Sequence, residues 1–109
     1  MAWKPVAAVF PIGSDASSVV HKQLSLLRDI QINLWKGESS PQGPAVNLKR
    51  GTRGYVLKQL KATPDQFVLA MAEYGADPTS LDRLIGKGSV YKEVVVNAAT
   101  LRASFYVDC

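Results

Sequence analysis

Apolar positions change period several times along the chain. Phe67, Ala70, Met71 and Tyr74 recur at three- and four-residue spacing, the stripe of an amphipathic helix. Ahead of them, Thr63-Pro64-Asp65-Gln66 supplies a capping Thr, a proline at the first helical position, an early acid and a Gln three residues after the cap. Gly75 suits a left-handed helix stop. A second short helix is predicted from Asp77-Pro78, with Leu81, Leu84 and Ile85 on its buried side and Gly86-Lys87-Gly88 ending it. Earlier, Val20, Leu24, Leu27 and Ile30 follow several capping candidates in Ser14-Asp15-Ala16-Ser17-Ser18, which predicts another helix from Val19.

Other stretches alternate. Residues 2–12 carry Trp3, Val6, Val9, Phe10 and Ile12 and suit a strand, with Pro5 and Pro11 confining it to a sheet edge or falling at its ends. Ile30, Ile32 and Leu34 alternate with Asp29, Gln31 and Asn33, a strand pattern. Leu27, Ile30 and Leu34 also fit the face of a helix running on to Trp35; the strand is the preferred reading. Residues 37–44 are a loop by composition, and residues 55–61 admit either a helical turn or a strand. Residues 90–96 are apolar and β-branched, residues 101–107 alternate, and Asn97-Ala98-Ala99-Thr100 between them reads as a hairpin loop. The expectation is a single α+β domain over residues 1–109, with three to four helices and a small antiparallel sheet that includes a C-terminal β-hairpin.

Composition narrows this picture. The 109 residues are 47% hydrophobic and 20% charged, as in ordinary globular domains. No charged-then-apolar leader is present, and the longest early apolar run, residues 6–12, is broken by Pro11 and too short to span a bilayer. A soluble cytoplasmic protein with no membrane association is expected. The single cysteine, Cys109, excludes an intrachain disulfide. Thirteen Lys and Arg against nine Asp and Glu give a net charge of +4. Between Ser39 and Pro64 there is no acid, while Lys49, Arg50, Arg53, Lys58 and Lys61 all fall there, a run able to attract phosphate.

The pair of predicted helices around Gly75 resembles the helix-turn-helix group. With Gly75 as the turn glycine, Ala70, Tyr74, Ala76, Leu81 and Leu84 fall at the packing offsets. The order of a helix, a short strand, two helices and a hairpin is similar to winged-helix domains over residues 63–107. The resemblance implies DNA as a partner. Thr79, Ser80 and Arg83 would then face the groove, with Lys87, Lys92 and Arg102 on the backbone and Arg50 and Arg53 adding phosphate contacts.

No catalytic signature competes. With one His and one Cys, metal ligation would rest on carboxylates, and no cofactor motif is complete. His21 has no nucleophile motif beside it. The expectation is a non-enzyme without metal or cofactor. The alternative is a protein-interaction or assembly module, a subunit or inhibitor, self-associating through an edge of its C-terminal hairpin. In that reading Trp3 and Trp35 are either core or interface anchors.

Overall fold

Strands that alternate locally need partners to be stable, and here one antiparallel sheet provides them. The computed structural model describes residues 3–37, 42–72 and 91–108. In chain order these form β1 (Trp3–Pro5), α1 (Val6–Val9), a 3-10 turn (Ala16–Ser18), β2 (Gln23–Leu26), β3 (Ile30–Trp35), β4 (Gln42–Leu48), β5 (Arg53–Gln59), β6 (Gln66–Ala72), β7 (Tyr91–Asn97), α2 (Ala98–Ser104) and β8 (Phe105–Asp108). The strand order is β1-β8-β2-β5-β6-β7-β3-β4, and every pairing is antiparallel.

That order cannot lie flat. β2 and β3 stand four positions apart, about 19 Å in a flat sheet. Residues 27–29 can bridge at most about 14 Å from Leu26 to Ile30. The sheet therefore curls. β2 with β3, and β4 with β5, are the two sides of one long ribbon, bent in the middle. The half formed by β2 and β5 carries β6 and β7 outward from β5, and β7 returns to β3. The ring closes through a seam of two register pairs, Asn33↔Val95 and Leu34↔Val94, against seven pairs between β6 and β7.

The bend is held by hydrogen bonds from both sides. The Leu26 amide donates to the Thr52 carbonyl and the Gly51 amide to the Leu26 carbonyl, each at 2.9 Å. The Arg50 amide donates to Asp29 Oδ1 at 2.7 Å. Thr52, 1% exposed, donates its hydroxyl to the Lys49 carbonyl at 2.6 Å. The Leu27 amide donates to the Ser104 carbonyl, and the Arg28 guanidinium donates to the Ala103 carbonyl, which satisfies the free C-terminal carbonyls of α2.

Leu24, Leu26, Val56, Phe67, Leu69, Met71, Val94, Val96, Phe105 and Val107 fill the inside of the curl, closed by Val6 and Phe10 at α1 and Leu101 of α2. The Phe10 and Phe67 rings meet edge-to-face at 5.6 Å. Gly54 lies where a side chain has no room. A Cβ there would sit 2.3 Å from the Ala70 carbonyl oxygen and 2.5 Å from Met71 Sδ.

The helix-rich expectation is overturned. Residues 66–72 are the strand β6, not the first helix of a helix-turn-helix pair. Its apolar run is continuous because both faces are buried: Phe67, Leu69 and Met71 inward, Val68, Ala70 and Ala72 outward. Such a run satisfies a helical period as readily as a strand period. The capping signals before it close a turn instead. The Gln66 amide donates to the Thr63 carbonyl, and the Thr63 hydroxyl to Gln66 Oε1, both at 2.8 Å. The second helix of that pair lies outside the described residues.

The helix predicted from Val19 gives way to the 3-10 turn and β2, and the first predicted strand stops at Pro5, where α1 begins. Of residues 55–61, those up to Gln59 belong to the strand β5 (Arg53–Gln59), and no helical turn forms there. The C-terminal hairpin is absent as well. Asn97 caps α2, its Oδ1 accepting from the Thr100 amide at 2.8 Å, so the supposed loop is the first turn of a helix. β7 and β8 pair with other strands and never with each other, and neither is an edge. The wing, the recognition pair and the self-association edge therefore all fall, and DNA binding through a helix-turn-helix loses its structural basis. Among the described residues the edges are β1 and β4, and each carries a proline, Pro5 and Pro44, which blunts strand addition. Among the described residues no helix is long and apolar enough to cross a membrane.

Candidate interaction surface

The curl presents one outer surface in which polar and aromatic side chains alternate with core residues. Because antiparallel partners share a face, the register of β1, β8, β2 and β5 sorts them into two rows. One row holds Trp3 opposite Asp108, then Gln23 opposite Tyr55. The next holds Pro5 opposite Tyr106, Tyr106 opposite Ser25, and Ser25 opposite Arg53. Their neighbours Leu24, Phe105 and Val107 point into the core.

Trp3 and Arg53 come from strands separated by β8 and β2, yet the Arg53 guanidinium sits over the Trp3 ring, 5.3 Å from its centroid. The two side chains therefore reach toward each other over the rows. Gln23 is 9% exposed, whereas Trp3, Ser25, Arg53, Tyr106 and Asp108 are half-buried. Burial, followed by the nearby Asp108 carboxylate, raises the Tyr55 phenol above its ordinary value of 10.0. Tyr55 is thus a neutral hydrogen-bonding group at physiological pH.

Of the eight residues assigned to DNA, the four that are described, Arg50, Arg53, Lys92 and Arg102, do not converge. Arg50 lies on the exposed bend, its amide held by Asp29. Arg53 belongs to the outer rows. Lys92 pairs with Met71, which pairs with Gly54, so its side chain starts from the opposite side of the sheet to Arg53. Arg102 is a tether between helices. Its Nε donates to the Phe10 carbonyl at 2.7 Å, and its guanidinium stacks 4.4 Å over the Phe10 ring. Thr79, Ser80, Arg83 and Lys87 lie outside the described residues.

The two tryptophans part company. Trp35 packs on Leu60, Val68 and Val95 beneath Lys58, whose Nζ is 4.4 Å from the ring centroid. Among the described residues its buried Nε1 has no hydrogen-bond partner. Tyr106 and Ser25 escaped the sequence reading because only the β1-β8-β2-β5 order, which no local pattern encodes, brings them beside Trp3 and Arg53. Among the described residues no three His, Cys, Asp or Glu side chains gather in a way that would hold a metal ion.

Among the described residues, fold and surface together define a small, curled, all-antiparallel β domain braced by two short helices. Comparison with protein-family models, with curated proteins and with solved structures gave no match.

Proposed function

We propose that this chain is a non-enzymatic interaction module that docks an acidic protein surface on the outer face of β1, β8, β2 and β5. The observation that carries the reading is the convergence of Trp3, Arg53 and Tyr106, the residue types that dominate interface energetics, half-exposed on one face. Ser25 and Asp108 add hydrogen-bonding groups within the same rows. Charge points to the sign of the partner. The chain carries thirteen Lys and Arg against nine Asp and Glu, a net charge of +4, which favours encounter with an acidic surface.

Selection from a displayed random peptide library against the whole chain tests this. Enrichment of Asp and Glu is expected, with binding at least tenfold weaker in Trp3→Ala and Arg53→Ala and unchanged in Lys22→Ala, a residue exposed elsewhere. Circular dichroism of each variant verifies the fold. Selected peptides without acidic enrichment, or indifferent to Trp3→Ala and Arg53→Ala, would sink the proposal.

A further inference from the structure

A second set of polar residues lines up on the other side of the curl. Gln31 pairs with Asn47, and Gln66 pairs with Asn97. Two residues on from Asn33↔Val95, the seam register sets Gln31 opposite Asn97. Four carboxamides therefore form one row across β4, β3, β7 and β6, about 14 Å long at three strand spacings. Their neighbours Leu48, Ile32, Val96 and Phe67 face the core, so the row lies on the outer surface.

The row borders a hollow of about 130 Å³ lined by Gln31, Asn33, Gln66, Asn97, Thr100 and Val95. Among the described residues no charged side chain lines it. Beyond Gln31 and Asn47 a wider, open hollow of about 420 Å³ continues toward Asp29 and Lys49.

Three carboxamides are fixed by bonds at one end only. Gln66 Oε1 accepts from Thr63, which leaves its Nε2 as a donor. Asn97 Oδ1 accepts from the Thr100 amide, which leaves its Nδ2 as a donor. Asn33 Nδ2 donates to the Gly43 carbonyl at 2.9 Å, which leaves its Oδ1 as an acceptor. Thr100 and Gln31 add groups that both donate and accept.

This pattern selects a ligand by exclusion. An anion would meet the Asn33 oxygen with no cation to neutralise it, and an apolar group would strip water from several donors without replacing the bonds. An extended peptide directs its backbone groups in the plane of a sheet, toward an edge rather than onto a face. Adjacent hydroxyls offer a donor and an acceptor on each oxygen, and they match. We propose that the carboxamide row binds a neutral saccharide, one ring in the small hollow and further rings toward Asn47.

The test is a titration of the isotopically labelled chain with neutral glucose, mannose, galactose and N-acetylglucosamine oligosaccharides, followed through the side-chain amide signals of Asn97 and Gln66. Concentrations should reach about tenfold above a Kd of order 1 mM. Saturable shifts with at least one sugar are expected, weakened at least tenfold by Gln31→Ala, whose exposed side chain makes no bond that holds the fold. Asn47→Ala should weaken the longer oligosaccharides and spare the monosaccharide. Trp3→Ala should leave the titration unchanged, which separates this site from the interaction surface. No shift with any sugar, shifts that persist in Gln31→Ala, or shifts produced by an uncharged peptide alone would overturn the assignment.

Discussion

The outer faces of β6 and of the β8-β2 pair belong to the same curled sheet, yet they are built on opposite terms. On β6 the outward residues Val68, Ala70 and Ala72 are as buried as the inward ones. On β8 and β2 the outward residues Ser25, Tyr106 and Asp108 remain half in solvent. The first arrangement spends both faces of a strand on stability. The second leaves one face for recognition. A strand with a single committed face can change its outward residues without disturbing the core, and this would separate the proposed binding surface from the folding of the sheet.

Seven changes break or sharpen that contrast. The largest effect is expected at Gly54, where the inner face has no space. Gly54→Val should destabilise by more than about 3 kcal/mol, beyond ordinary overpacking, because the Ala70 backbone itself blocks the new side chain; urea unfolding measures it. Next, Val68→Asp on the outer face of β6 should cost about 3 kcal/mol or more, as a buried unpaired carboxyl does. Tyr106→Ala on the outer face of β8 should cost about 1 kcal/mol or less, since it empties no core site. Equal losses at Val68 and Tyr106 would erase the distinction. Arg102→Ala should cost about 1–2 kcal/mol by removing a hydrogen bond and a stacked cation that tie α2 to Phe10.

A smaller effect is expected from Tyr55. Its folded pKa is raised, so below pH 10 both folded and unfolded chains hold the proton and stability is fully present. As pH climbs past 10 toward the folded value, the unfolded chain ionises first and stability falls. Tyr55→Phe should flatten that alkaline decline in denaturant midpoints, and Asp108→Asn should reduce it less, because burial is the larger cause. The smallest change lies at His21, held at φ 64°. His21→Gly relieves the left-handed strain and should raise thermal stability by about 0.5 kcal/mol, after the glycine's own entropy is offset.

The same contrast explains what could be read from the residues alone. β3 and β7 were legible: Ile30, Ile32 and Leu34 alternate with polar neighbours, and Val94-Val95-Val96 is β-branched. β6 was not, because a strand buried on both faces has no alternation to display. α2 was hidden for a different reason. Asn97 serves equally as a turn residue and a helix cap, and only its bond to the Thr100 amide distinguishes the two. Of the candidate surface, Trp3 and Arg53 stood out by residue type. Their meeting with Tyr106 depends on β8 inserting between β1 and β2, a long-range event that leaves no mark on nearby sequence.

The seam between β3 and β7 gives the ring a weak line. Seven pairs join β7 to β6 and two join it to β3, so the ring should part at the seam before it unfolds elsewhere. The β3 and β7 amides that bond across the seam should then exchange with solvent deuterium through a partial opening, while those of Phe67 and Leu69 wait for global unfolding. The line of parting passes between Gln31 and Asn97, through the middle of the carboxamide row. A molecule bonded to both would act as a latch, slowing exchange at the seam without touching a core side chain.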